Sequence, residues 1–319
     1  MPTEATDRPD ERRAAERPGS KRMTMAEAIE RFVADGDTVL IEGFTHLISF
    51  AAGHEILRQG RRDLTLCRLT PDLLYDQMIA AGCARKLVFS WAGNPGAGPL
   101  YAFRRAVESG EPHRLEIEEY THFGMVARLA AGAAKLPFLP LRTFSGSDLP
   151  AVNRRIASVR CPYTGEELPT VPALEPDVAI IHAQRADEQG NTQIWGLLGV
   201  QREAAFAAEK VVVVVEEIVS EEVVRSDPNR TVVPGLVVSA VVHEPWGCHP
   251  SFAQGYYDRD NEFYVAWREI SRHPERLASY LDEWVYGVDG RAQYVDKMGE
   301  GLQRLAAAEA WSRPVNYGF

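Results

Sequence analysis

The sequence predicts an α/β fold: an open, mostly parallel sheet with helices on both faces and a helical C-terminal appendage. Three observations predict it. Continuous aliphatic runs recur along the chain, Thr38-Val39-Leu40-Ile41 and Val211-Val212-Val213-Val214-Val215 among them. Turns bearing glycine and then segments of helical periodicity follow the early runs, the pattern of βαβ units whose strands are covered on both faces. At 319 residues and 45% hydrophobic content, the chain is long enough to bury a core without a disulfide or metal staple.

Residues 1–22 alternate acidic and basic groups around Pro9, Pro18 and Gly19 and hold no large apolar side chain after Met1. Such a segment cannot offset the entropy of folding and is read as a disordered tail. The folded domain, 23–319, begins at Thr24-Met25-Ala26-Glu27, a capping box ahead of Met25, Ile29, Phe32 and Val33 on one helical face. Gly36 ends that helix. Strands are expected at 38–41, 64–69 and 86–90, with helices through 55–58, over 73–83 and up to Gly110. A helix of small residues follows over 125–136, and then a loop-like seam, 145–176, rich in proline and glycine. Buried strands resume at 178–182, 211–215 and 237–242, and a helical stretch over 264–284 is broken at Pro274.

Composition excludes several functions. With 35 Lys and Arg against 45 Asp and Glu, the net charge of -10 disfavours nucleic acid and anionic lipid as partners. No aliphatic run approaches the roughly 20 residues that cross a bilayer, so no membrane segment is expected. Cys67, Cys83, Cys161 and Cys248 show no C-x-x-C spacing, and no signal-peptide pattern opens the chain, which fits a cytoplasmic protein. Cys248-His249 with His243 is the nearest approach to a metal cluster, without the spacing of a ligand set, and no metal is expected.

In open parallel sheets, ligands bind beyond the carboxyl ends of the strands. That rule selects two turns, Glu42-Gly43-Phe44-Thr45-His46 and the stretch from Trp91 through Asn94 and Gly96 to Gly98. Their glycines either shape tight turns or bring backbone N–H groups to a developing anion. Neither turn is a dinucleotide or phosphate-loop fingerprint. Glu216-Glu217 closes the 211–215 run, as a nucleophile or as the acidic start of a helix. His182 reads as a core histidine, and Asp187-Glu188-Gln189-Gly190-Asn191 as a reversal. No serine occupies a G-x-S-x-G elbow.

Four stretches carry a family resemblance. They are Gly43-Phe44-Thr45, Glu55-Ile56-Leu57-Arg58-Gln59-Gly60, Asp177-Val178-Ala179-Ile180-Ile181-His182-Ala183-Gln184 with Gly190-Asn191, and His249-Pro250-Ser251 leading to Tyr257-Asp258-Arg259-Asp260-Asn261. The chain resembles the A (alpha) subunit of family I coenzyme A transferases, with the glutaconate CoA-transferase alpha subunit the nearest likeness, over residues 23–299.

The resemblance implies a CoA-thioester substrate, no tightly bound cofactor, and a ping-pong transfer of CoA from an acyl-CoA to a carboxylic acid. It places the nucleophilic glutamate on a beta subunit, so no catalytic residue is expected in this chain. The alpha subunit then shapes the acyl pocket through Gly43, Phe44 and Thr45, through Asn94 and Gly96, and through Gly146 and Ser147.

Departures from the family pattern are Glu42 in place of a first glycine, Phe50 in place of a proline and Ile48 in place of an arginine. Loss of that cation implies an acyl group that is not a short dicarboxylate. Two alternatives stand beside the transferase. A related branch hydrolyses a ring ketone with a glutamate where this chain has Phe123, a role left here to Glu118 or Glu119. The other is a non-catalytic ligand-binding protein of the same fold.

Overall fold

The computed structural model describes residues 19–144 and 146–306. Its thirteen strands are β1 (Arg22–Met23), β2 (Thr38–Glu42), β3 (Leu64–Cys67), β4 (Ala84–Phe89), β5 (Glu116–Glu119), β6 (Phe138–Pro140), β7 (Ala157–Arg160), β8 (Glu167–Pro172), β9 (Val178–Ala186), β10 (Thr192–Gln193), β11 (Lys210–Ile218), β12 (Thr231–Val233) and β13 (Ala240–His243). Eight of them line up in the order β1-β13-β11-β9-β2-β3-β4-β5, parallel throughout. The short β10 and β12 join antiparallel beyond the far end of β9.

Alternation along the central strands explains why both sheet faces are covered. Val39 and Ile41 of β2 pack with α1 (Met25–Phe32), α2 (Phe50–Arg58), α3 (Leu73–Ala80) and α4 (Tyr101–Glu108), whereas Leu40 points into the opposite core. That second core includes α5 (His122–Ala133), and beyond the four-residue α6 (Leu149–Val152), also α7 (Gln201–Ala207). In β11 the same alternation sends Val212 and Val214 one way and Val211, Val213 and Val215 the other.

The capping box forms as expected: Glu27 N–H donates to Thr24 Oγ1 at 3.2 Å, and Thr24 N–H to Glu27 Oε2 at 2.8 Å. Lys21 and Arg22, the last residues of the expected tail, have defined partners in the fold. Arg22–Met23 pairs with β13, and Lys21 Nζ donates to the Gly235 and Val238 carbonyls. Residues 1–18 of the expected tail lie outside the described residues. In the expected seam, β7 and β8 pair, and β8 also pairs with the earlier β6, giving a three-stranded antiparallel sheet in the order β6-β8-β7. The last expected strand begins at Ala240, after a 3₁₀ turn over Gly235–Val237.

The first of the C-terminal helices is docked through a buried carboxylate. After the short α8 (Glu221–Ser226) come α9 (Asn261–Arg272), α10 (Pro274–Leu281), α11 (Arg291–Met298) and α12 (Glu300–Gln303). Asp76 of α3 accepts hydrogen bonds from Trp267 Nε1 at 3.0 Å and Ser271 Oγ at 2.5 Å in α9, and from Phe103 N–H of α4. Arg105 donates to the Ser271 carbonyl, while Arg104 pairs with Glu108 in solvent.

Candidate functional site

The turn after β2 is held from three sides. Gly43 has φ +149°, and a Cβ there would lie 2.7 Å from the Leu47 carbonyl, so only glycine fits. Thr45 and Leu47 carry φ of 55° and 56°, a left-handed conformation that costs side-chain-bearing residues about 1–3 kcal/mol each. Such strain persists only where the surroundings impose it.

On one side stands Arg68, the first residue beyond β3 and fully buried. Its Nε and Nη2 donate to the Gly43 carbonyl at 3.1 and 2.6 Å, and its Nη1 donates to Asp72 Oδ1 at 3.0 Å. Burial opposes the charge on Arg68, but the Asp72 carboxylate together with Tyr75 and Glu42 outweighs it and leaves its pKa above the usual arginine value. On the second side, Glu42 Oε1 accepts from Val200 N–H at 3.3 Å, and the His46 ring bonds the Leu197 carbonyl. On the third, Ser251 Oγ donates to the Thr45 carbonyl, Leu47 N–H to the Phe252 carbonyl, and Gln254 N–H to His46 Nε2. Since Nε2 accepts, the proton of neutral His46 sits on Nδ1 and faces Leu197. Burial pulls the His46 pKa down to about 4, so the ring is neutral at physiological pH.

Glu42 is buried, and burial pushes its carboxyl up in pKa despite the nearby Arg68 charge. A Cβ on Gly199 would come within 2.6 Å of Glu42 Oε1. A glycine in the facing loop therefore makes room for this departure from the family pattern. Ile48 and Phe50 are both fully buried in the core beneath the turn. Neither side chain faces an open pocket, so these two substitutions report on core packing and not on acyl polarity.

The other expected pocket residues follow β4 and β6. Asn94 is buried and turned inward, its Nδ2 donating to the Tyr264 carbonyl at 2.6 Å. Gly96, φ +78°, is exposed at the tip of the same loop. Gly146 and Ser147 are exposed, and Thr143, before them in the chain, donates to Thr121 Oγ1; Ser145 lies outside the described residues. With strands spaced about 4.8 Å apart, the turns after β2 and β4 stand roughly 10 Å from one another. Ser90, after β4, donates to the Leu69 carbonyl and contacts His122 Nδ1 at 2.9 Å, closing the gap between β4 and α5.

The other carboxylates of interest are committed elsewhere. Glu216 lies inside β11 and does not start a helix. Its oxygens take His182 Nε2 at 2.7 Å, Tyr257 OH at 2.5 Å and Trp246 N–H at 2.7 Å. Cys248 comes beside this pair, so the residues approaching a ligand set are His182, Glu216 and Cys248 rather than Cys248, His249 and His243. With Glu216 already taking three donors and Gly247 packed on the His182 ring, the cluster is a filled core contact. Asp187 forms the expected reversal, its Oδ1 accepting from Gln189 and Asn191 N–H.

Glu118 accepts from Lys86 Nζ at 2.5 Å, Arg128 Nη1 at 2.7 Å and Tyr120 OH at 2.8 Å. Burial raises its pKa, but the Lys86 hydrogen bond and the Arg128 charge overcome this and hold it below the usual glutamate value. Phe123 stands exposed on the first turn of α5. A cleft of about 920 Å3 lies away from the β2 turn, lined by Asp187, Glu188, Glu221 and Lys21 among others. Its acidic lining repels an anionic CoA ester.

A parallel sheet covered on both faces, with a strained turn at its carboxyl edge, defines an α/β protein whose site lies beyond the strand ends. The chain is a member of the coenzyme A transferase family, whose profile matches residues 22–244. It is 53% identical over 279 residues to the A subunit of 3-oxoadipate CoA-transferase from Pseudomonas knackmussii, covering 88% of this chain and 98% of that one. It is 34% identical over 298 residues to the A subunit of glutaconate CoA-transferase from Acidaminococcus fermentans, covering 88% of this chain and 92% of the relative. The crystal structure of glutaconate CoA-transferase from that organism superposes with a TM-score of 0.86 at 32% identity, over 94% of this chain and 99% of the other. The chain is therefore the alpha-type half of a CoA-transferase, an enzyme that takes CoA thioesters as substrates.

Arg68 is the site residue that the sequence analysis missed. Its signal was an arginine closing an aliphatic run, with an aspartate four residues on.

Proposed function

We propose that this chain forms half of a hetero-oligomeric CoA-transferase acting on a 3-oxo dicarboxylic acid of the 3-oxoadipate type. The observation that carries the substrate class is the 53% identity to the A subunit of a 3-oxoadipate CoA-transferase across almost all of that relative. The expectation of a non-dicarboxylate acyl group rested on Ile48 and Phe50, which are core residues.

In this reading a partner-chain glutamate attacks the acyl-CoA carbonyl, and CoA thiolate leaves to give a mixed anhydride. The thiolate then attacks the glutamyl carbonyl, frees the first acid and leaves an enzyme-CoA thioester, which passes CoA to the second acid. The turn Gly43-Phe44-Thr45 supplies backbone N–H groups toward the tetrahedral oxyanion. Gly96, Gly146 and Ser147 border the same edge, while Asn94 supports the loop from within. CoA arrives and leaves as substrate, and this chemistry needs no resident cofactor or metal.

A partner at this edge is favoured by its apolar rim. Phe44, Trp91 and Phe123, which follow β2, β4 and β5, are exposed, as are Leu197 and Leu198. The four cysteines are unpaired and three are buried, in keeping with a reducing, cytoplasmic setting. Among the described residues no helix is long and apolar enough to cross a membrane.

The hydrolase alternative needs a free carboxylate near Phe123; Glu118 is bound to Lys86, Arg128 and Tyr120, which leaves the exposed Glu119 as its candidate. The test is an acceptor panel on the chain co-purified with its beta partner. Highest kcat/KM with 3-oxoadipate supports the proposal; preference for an aromatic or branched monocarboxylic acid overturns it.

A further inference from the structure

We infer that Arg68 is a positioning residue of this enzyme, fixing the Gly43–Phe44 peptide so that the Phe44 N–H faces the open edge as an oxyanion donor. This deepens the proposed function and rests on its reading of the β2 turn as the acyl pocket.

The geometry runs in three steps. The Gly43–Phe44 peptide is trans, so its carbonyl and its N–H point in opposite directions from one plane. The Gly43 carbonyl is gripped by two nitrogens of Arg68, at 3.1 and 2.6 Å. The N–H of Phe44 is therefore directed away from the buried guanidinium, toward the side on which the Phe44 ring itself is exposed. No acceptor among the described residues lies against that N–H.

The choice of side chain points the same way. Gly43 has no Cβ, and without the grip its flanking peptide can rotate and present a carbonyl to the pocket, which would repel an oxyanion. A two-point hold removes that freedom, and the planar fork of arginine supplies two parallel donors where lysine supplies a point charge. Arg68 is fixed in turn by Asp72, the N-cap of α3, which also accepts from Leu74 N–H. A buried ion pair of this kind is a poor source of stability compared with apolar packing, while its directional hydrogen bonds hold a geometry.

The test uses the complex of this chain with its beta partner, compared with Arg68→Met and Arg68→Lys complexes matched for assembly and secondary structure. For Arg68→Met the expected result is a fall in kcat of about 100-fold, the size of losing one oxyanion donor, with KM for acyl-CoA moving less than about threefold. Arg68→Lys restores part of kcat, because its ammonium reaches the carbonyl with a single donor. An Arg68→Met complex with parental kcat, or one whose loss lies all in KM, overturns the inference. If Arg68→Met fails to assemble, Arg68→Lys decides: parental kcat there overturns it, and a lowered kcat at unchanged KM supports it. A parental complex that exchanges no CoA overturns the functional reading and this inference with it, which separates the two failures.

Discussion

The Arg68 guanidinium holds the Gly43 carbonyl through two hydrogen bonds beneath a turn whose next residue, Phe44, lies open to solvent. The contact joins the end of β2 to the end of β3. It makes the turn a rigid lip on the carboxyl edge of the sheet, and several expectations depend on that rigidity.

Gly43→Ala should abolish most transfer activity. The new Cβ meets the Leu47 and His46 carbonyls at 2.7 and 2.8 Å, at a φ of +149° that alanine resists. A drop in kcat of roughly 100-fold is expected from displaced backbone donors, with a stability loss of about 1–3 kcal/mol. Steady-state kinetics on the assembled complex and a thermal melt measure the two effects. Parental kcat in the alanine complex would contradict the assignment of this turn.

Glu118→Gln tests whether Glu118 could carry the hydrolase chemistry, as Glu119→Gln tests its exposed neighbour. Glu118 is bound by Lys86, Arg128 and Tyr120, so its removal should destabilise the chain by about 3 kcal/mol and leave kcat for CoA exchange within a few-fold of the parent. Complete loss of turnover with assembly intact would restore a catalytic role to Glu118.

Stability should fall as pH drops below 6.5. Burial lowers the His54 pKa to about 3 and that of His46 to about 4. Both rings are neutral when folded, whereas the unfolded chain protonates them near 6.5. Their contribution is complete above pH 6.5 and is lost as pH falls toward 4, by at most roughly 3 kcal/mol for His46. Melting curves between pH 7.5 and 4.5 check this, and His54→Gln should flatten the slope. An unchanged slope in that variant would refute the account of His54.

Asp76→Ala should loosen the C-terminal helices. It leaves Trp267 Nε1, Ser271 Oγ and Phe103 N–H without their shared acceptor, at a cost of about 3 kcal/mol. Limited proteolysis should then cut first within α9 or α10; cleavage no faster than in the parent would contradict that role.

The central strands were legible because both their faces are buried: β2, β9 and β11 read as unbroken aliphatic runs. The edge was not. In β5, Glu116–Glu119 carries three glutamates, and only Glu118 is buried, bound to cations from β4 and α5 that no local pattern reveals. β11 runs on through Glu216 because His182, Tyr257 and the Trp246 N–H arrive from distant segments to receive its carboxylate. Gly43 stood out from its place after a strand, whereas Arg68 gains meaning only once β3 is laid beside β2. The departures at Ile48 and Phe50 misled for the same reason, since facing inward or outward is a tertiary property.

The central claim is that the attacking carboxylate belongs to the partner chain while this one shapes the pocket. Its most direct test is to load the assembled complex with acyl-CoA, reduce the enzyme-CoA thioester with borohydride, and locate the modified residue by peptide mass spectrometry. The account predicts one reduced glutamate in the beta partner and none in this chain. A reduced glutamate in this chain, or full CoA exchange by the chain on its own, would contradict it.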